Sequence, residues 1–185
     1  MQELSLNVLD IAQNSIRAGA ALIAITAEER RADAFLEITV SDNGCGMTEE
    51  QVKRVMDPFF TTRTTRKVGL GVPFFKMSAE ATGGDFSIVS RPGEGTTVSA
   101  RYHTDHIDML PLGDMNATIL SLITMNPDLD FVYTRSLDGK PYVLDTRELK
   151  EVLEDVPLNA PDVVLYLKEA LEEGTAALYG TPDTN

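Results

Sequence analysis

Two pairs of short β-branched segments, each joined by a turn too short for a crossover, constrain this chain most. Residues 21–29 and 35–41, rich in Ile, Thr and Val, flank the polar turn Arg30–Asp33. Residues 85–91 and 96–103 flank Pro92-Gly93-Glu94-Gly95, a hairpin signal. Parallel neighbours need a connection of about a dozen residues or more, so both pairs read as antiparallel. Helical segments surround them. Residues 3–18 carry Leu6, Leu9 and Ile16, with Ile11 and Ala12, on an apolar side. Thr48 caps a short helix with Glu49, Glu50 and Gln51 in its first turn, ending near Asp57-Pro58. Residues 61–68 are polar and basic and read as a loop, and a helix from about Gly71 to Thr82 stops at Gly83-Gly84. Beyond these come a helix over 114–125, strands over 130–135 and 141–145 around Asp138-Gly139, and helices over 146–154 and 161–173. Runs of helix among antiparallel strands predict an α+β layered fold.

The length of 185 residues suits one domain with a small appendage. The net charge of −13 makes the chain a poor general binder of phosphate backbones and disfavours an anionic membrane surface, so neither nucleic acid nor membrane is expected as a partner. The charge is uneven. Residues 1–103 carry 11 Lys/Arg against 13 Asp/Glu, net −2; residues 104–185 carry 5 against 16, net −11. The patterning changes at the same place, which divides the chain into a domain over 1–103 and an acidic α+β extension over 104–185. The extension reads either as an interaction surface or as a solvated, solubilising face. A single cysteine, Cys45, rules out an intrachain disulfide and the Cys-based zinc patterns, and fits a reducing, cytoplasmic setting. The longest apolar run, near Ala18–Ala27, is far shorter than the roughly 20 residues of a membrane span. Glu3 and Asp10 precede it where a signal peptide would carry positive charge.

Four short segments carry the chemistry. Asn7, Asp10, Asn14 and Arg17 share one face of the opening helix. A polar stripe is also what any solvent-facing helix side carries. Its composition nevertheless suits a magnesium ion, which takes an Asn carbonyl together with substrate phosphates, and Arg17 one turn on can take a phosphate oxygen. Asp42-Asn43-Gly44-Cys45-Gly46-Met47 ends a strand. A carboxylate is a pure acceptor and can receive an exocyclic amine, while the glycines let a flat ring approach; the same pattern is often only a turn. Gly69-Leu70-Gly71 opens a helix after Arg63, Arg66 and Lys67, offering free N–H groups to an anion, or else a flexible entry into the helix. Pro92–Thr97 is by itself a hairpin turn.

Together and in order, these segments resemble the GHKL superfamily, which includes histidine-kinase catalytic domains, gyrase-type and mismatch-repair ATPases, heat-shock chaperones and anti-sigma kinases. Asn14-Ser-Ile-Arg17-Ala-Gly-Ala resembles the N box, Asp42-Asn-Gly-Cys-Gly-Met47 the G1 box, Asp57-Pro-Phe-Phe-Thr-Thr62 the F box, and Gly69-Leu-Gly71 the G2 box. Gly83-Gly84 followed by Arg91–Thr97 resembles the end of a histidine-kinase catalytic domain, and the likeness covers about residues 4–102. It implies a Bergerat-type two-layer α/β sandwich, a mixed and mainly antiparallel sheet backed by helices, that binds ATP and Mg2+ under a lid. On that basis Asp42 would hold adenine N6, with Gly44, Gly46 and Met47 lining the pocket and Thr96 supporting it from behind. Asn14 would bind magnesium and Arg17 would contact phosphate. Thr61 to Val68 would form the lid, with Arg63, Arg66 and Lys67 facing the triphosphate, and Gly69, Leu70 and Gly71 would bring the phosphates to a helix N-terminus.

The departures from the family pattern set the functional expectations. Asp10 stands where the hydrolysing branches carry a general-base Glu, and it is one methylene shorter. Pro73 stands just inside the G2 helix, where it is tolerated. The strand and helix that usually precede the N box are missing, so the C-terminal segment is expected to cover the sheet edge they would leave bare. His103 and His106, the only histidines, follow the last box and read as exposed boundary residues, so a self-phosphorylating sensor kinase is not expected. The resemblance then leaves a catalytic domain that phosphorylates a partner protein in trans, or an ATP-dependent switch of anti-sigma type that binds or releases a regulated target, or an interaction module with a relic pocket. A homodimer is left open.

Overall fold

The computed structural model describes residues 3–59 and 70–180. Twelve elements follow one another in them: α1 (Leu4–Arg17), β1 (Leu22–Arg30), β2 (Phe35–Asp42), α2 (Glu49–Val55), α3 (Gly71–Ala81), β3 (Phe86–Arg91), β4 (Gly95–His103), α4 (Met115–Met125), β5 (Asp130–Leu137), β6 (Lys140–Asp145), α5 (Thr146–Leu153) and α6 (Pro161–Tyr179). All six strands join one sheet in the order β3-β4-β2-β1-β5-β6. Every pairing is antiparallel except β1 with β5. The architecture is the expected α+β sandwich, a mixed and mainly antiparallel sheet backed by helices.

Alternation decides which face of the sheet is covered. Ile23, Ile25 and Ala27 of β1, Leu36, Ile38 and Val40 of β2, Val98, Ala100 and Tyr102 of β4, and Phe131 and Tyr133 of β5 all point to one side and are buried. The helices α3, α1, α4 and α6 cover that side, α1 packing against both α3 and α4, and α4 against α6. The opposite face carries Thr39, Ser41, Thr97 and Ser99. Their hydroxyls pair across β2 and β4, Thr39 with Ser99 and Ser41 with Thr97 at 2.8 Å.

Residues 104–180 supply two strands of this sheet. β5 lies along β1 over eight positions, from Leu22 opposite Asp130 to Glu29 opposite Leu137. Side chains fasten the seam at its far end. Arg31 donates to Asp138 through its backbone N–H at 2.8 Å and its guanidinium at 2.7 Å. Buried Arg135 pairs with Glu29 at 2.9 Å and also bonds the Tyr179 hydroxyl, itself 2.8 Å from Glu29. The linker closes onto α1, whose N-terminus has no side-chain cap. Its orphan N–H groups at Leu4 and Ser5 bond instead to the carbonyls of Pro111 and Leu112, at 3.0 and 2.8 Å.

The elements follow the sequence expectations closely, with Thr48 and Gln51 forming a reciprocal capping box on α2. One helix differs. α6 runs on past residue 173, through Gly174, to Tyr179. Glycine is a poor helix former, so its place inside the helix needs a reason. In the fold, a Cβ on Gly174 would collide with the Tyr142 ring, so the glycine is what lets the helix backbone lie against β6. Among the described residues, no helix is long and apolar enough to cross a membrane.

Candidate nucleotide site

The site is built where the end of β2 meets α1. α1 buries Leu4, Val8, Ile11, Ala12 and Ser15 against the sheet. Of its polar stripe, Asn7 is buried, Asn14 half-buried, and Asp10 and Arg17 exposed. Asn14 accepts a hydrogen bond from Arg17 at its Oδ1, 3.2 Å away, while its buried Nδ2 has no partner among the described residues.

Asp42, the last residue of β2, stands opposite Ile23 of β1 and Thr96 of β4. Both of its carboxylate oxygens carry a donor. Ser15 Oγ donates to Oδ2 at 2.6 Å, and the Gly44 N–H donates to Oδ1 at 2.8 Å. Each oxygen has room for a further hydrogen bond, so the group stays available as an acceptor while its orientation is set.

The turn after Asp42 is pinned from three sides. Asn43 accepts the N–H groups of Ala21 and Leu22 at its Oδ1, each at 2.9 Å, which ties the turn to the start of β1. Cys45 donates its N–H to the Ala18 carbonyl at the end of α1, 2.9 Å away, and accepts the Gly93 N–H from the β3–β4 hairpin at 2.7 Å. Met47 donates its N–H to Ser90 Oγ at 2.8 Å, and Ser90 Oγ pairs with Thr96 Oγ1 at 2.7 Å. Gly46 has φ +65°, and a Cβ there would overlap the Arg91 carbonyl. Gly44 packs closely on Ala18, where a Cβ would stand 2.9 Å from the alanine methyl.

α3 begins beside α1. A Cβ on Gly71 would lie 2.7 Å from Cβ of Asp10, so the first turn of α3 abuts α1 at Asp10. No side chain caps α3, and Pro73 contributes no N–H, so the free donors of its first turn sit at Leu70, Gly71 and Val72. Thr61, Arg63, Arg66, Lys67 and Gly69 lie outside the described residues; Leu70 is half-exposed at the boundary. A separate cleft of about 190 Å³ between α1 and α4, lined by Leu9, Ile16, Arg17 and Met125 among others, does not include Asp42.

The structure brings Asp42, Gly44, Gly46 and Met47 together beside the end of α1 that carries Asn14; Arg17 reaches Asn14 and lines the separate cleft, and the start of α3 meets α1 at Asp10. Thr96 lies opposite Asp42 across β2 and β4, and its hydroxyl pairs with Ser90. Sequence reasoning missed Ser15 and Ser90. Ser15 did carry a signal, because it is a polar residue on the buried side of α1 with Ile11 and Ala12, and a buried hydroxyl needs a partner.

The residues fit a purine nucleotide. A fixed acceptor at Asp42 and an amide at Asn14 without a partner among the described residues, which a phosphate oxygen would satisfy, are an acceptor and a donor such a ligand can use. They also fit magnesium held chiefly by the nucleotide. No group of three or more His, Cys, Asp or Glu that could hold a metal occurs among the described residues, whereas a hard cation with substrate phosphates needs only one or two protein oxygens.

Comparison with known proteins agrees with this geometry. Residues 1–106, more than half of the chain, match the family described as histidine kinase-, DNA gyrase B-, and HSP90-like ATPases. The signal transduction histidine-protein kinase AtoS of Escherichia coli is 38% identical over 65 residues, covering 35% of this chain and 10% of AtoS. The histidine protein kinase DivJ of Caulobacter vibrioides is 33% identical over 98 residues, covering 51% of this chain and 16% of DivJ. The chain thus spans only a tenth to a sixth of these relatives. In fold it is similar to the N-terminal domain of a DNA repair protein, with a TM-score of 0.51 at 15% identity, over 98% of this chain and 58% of that one. This chain belongs to the histidine kinase-, DNA gyrase B- and HSP90-like ATPase family.

Proposed function

We propose that the chain binds Mg·ATP at Asp42 and passes the γ-phosphoryl group to a side chain of a partner protein in trans. The observation that carries the reading is the carboxylate of Asp42, oriented by Ser15 and Gly44 against the helix that bears Asn14 and Arg17. Asp42 would receive the adenine amine, and Met47, Gly44 and Gly46 would border the ring. Asn14 Oδ1 would hold magnesium, which neutralises phosphate charge when bound. Arg17 and the first-turn N–H groups of α3 would take phosphate oxygens. The bond from the γ-phosphorus to the bridging oxygen breaks, one to the acceptor forms, and ADP leaves. Asp10, exposed on α1 beside Gly71, would serve as the base if water is the acceptor.

One observation favours the alternative of an ATP-dependent switch. Asn43 of the site turn bonds Ala21 and Leu22, and the Ala21 carbonyl accepts the Asp130 N–H that starts β5, at 2.9 Å. The nucleotide turn and the acidic C-terminal segment thus share the first residues of β1. Incubation with γ-labelled ATP and proteins co-purified with the chain separates the two. Label on a partner, lost in Asn14→Ala, supports transfer; nucleotide-dependent partner affinity without label supports the switch.

A further inference from the structure

We infer that Ser15, and not Thr96, is the positioning residue that sets the base specificity of this pocket. The inference rests on the proposed adenine contact at Asp42. The Ser15 hydroxyl has one proton and two candidate acceptors, the Ile11 carbonyl one turn back at 3.5 Å and Asp42 Oδ2 at 2.6 Å. The shorter, charge-assisted bond takes the proton. Ser15 is 3% exposed, so water does not compete for it. The bond ties Asp42 directly to the helix that carries Asn14, and joins the base end of the site to its phosphate end. The Thr96 hydroxyl has no direct bond to Asp42 among the described residues; it pairs with Ser90, which accepts the Met47 N–H, so its direct contact is with the turn.

A fixed carboxylate discriminates sharply between purines. The amine at position 6 of adenine donates to it, whereas the carbonyl at the same place in guanine sets acceptor against acceptor. Without the Ser15 proton, Oδ2 loses its anchor and the carboxylate turns about the Gly44 contact alone. The adenine bond weakens and the clash with the guanine carbonyl is relieved, so the preference for ATP over GTP narrows.

The test compares ATP and GTP affinities, with Mg2+, for the parent chain, Ser15→Ala, Ser15→Cys and Thr96→Val. Alanine is the better helix former and cysteine keeps the volume while donating weakly, so both variants should melt near the parent without nucleotide. The expected result is roughly tenfold weaker ATP binding in both Ser15 variants with GTP binding no weaker than in the parent, and an unchanged ATP-to-GTP ratio in Thr96→Val. A parental ratio in Ser15→Ala, or a ratio lost in Thr96→Val alone, overturns the assignment of Ser15 while leaving the ATP site standing. A parent chain that binds neither nucleotide overturns the proposed function itself.

Discussion

Replacing Glu29 with alanine should loosen the C-terminal segment from the ATPase sheet more than any surface substitution. Arg135, on β5, has a side chain only 3% exposed, and its charge is balanced by Glu29 of β1. Removing one partner of a buried ion pair costs about 3–5 kcal/mol, because a charge is left desolvated and alone. Glu29 is 26% exposed, so water relieves part of that loss, and Tyr179 still bonds the guanidinium. A cost of about 2–3 kcal/mol follows. For a chain of this length that is a fall of roughly 4–12 °C in Tm. The companion variant Arg135→Met should cost about 1 kcal/mol or less, since it removes the buried charge itself and leaves Glu29 to be hydrated at the surface. It also removes an Nη1 that has no partner. Urea and thermal unfolding of both variants measure the difference. Hydrogen exchange should show the Glu29→Ala loss first at the end of α6, where Tyr179 joins the cluster. If Arg135→Met proves as costly as Glu29→Ala, the seam is held by packing of the arginine stem and the electrostatic reasoning fails.

Other expectations follow from individual positions. Gly46→Ala should cost more than about 2 kcal/mol and abolish nucleotide binding, because it adds a left-handed strain to an overlap with the Arg91 carbonyl. Gly93→Ala, also at positive φ but with nothing within 4 Å, should cost only the backbone strain of about 1–2 kcal/mol, as chemical denaturation of the pair will show. Tyr133→Phe should stabilise the chain by about 1 kcal/mol, because the buried hydroxyl has no partner. Burial pushes the Tyr133 phenol up to about 12, so its neutral form contributes stability that is complete below about pH 10 and is lost as pH rises through about 12. A melt series in alkali should therefore fall less steeply for Tyr133→Phe than for the parent.

Much of the fold was legible because its signals are local. The Pro92–Gly95 hairpin, the Thr48 cap and the apolar side of α1 each depend on neighbours within a few residues. What the sequence could not display is which strand β5 would join and in which direction. A parallel pairing between Leu22–Glu29 and Asp130–Leu137 spans about a hundred residues and leaves no local mark beyond a bare β1 edge waiting for a neighbour. The early end expected for the last helix, at residue 173, has the same origin, since the Tyr142 ring that Gly174 accommodates is distant in sequence. In the candidate site, residue type and spacing are enough to put Asp42 and the stripe of α1 forward as candidates. Ser15 was hidden because its role depends on the end of β2 passing within 2.6 Å of it, and Ser90 because its partners come from the Met47 turn.

The central claim is that Asp42 anchors a nucleotide. Thermal unfolding with and without Mg·ATP, on the parent and on Asp42→Asn, tests it most directly. At a concentration about 100 times the dissociation constant, ATP should stabilise the parent by about 2.7 kcal/mol, a shift of several degrees. Asp42→Asn presents a donor as well as an acceptor to the base, so the shift should largely disappear in a variant that still folds. A folded parent with no shift, or an equal shift in both proteins, would contradict the account.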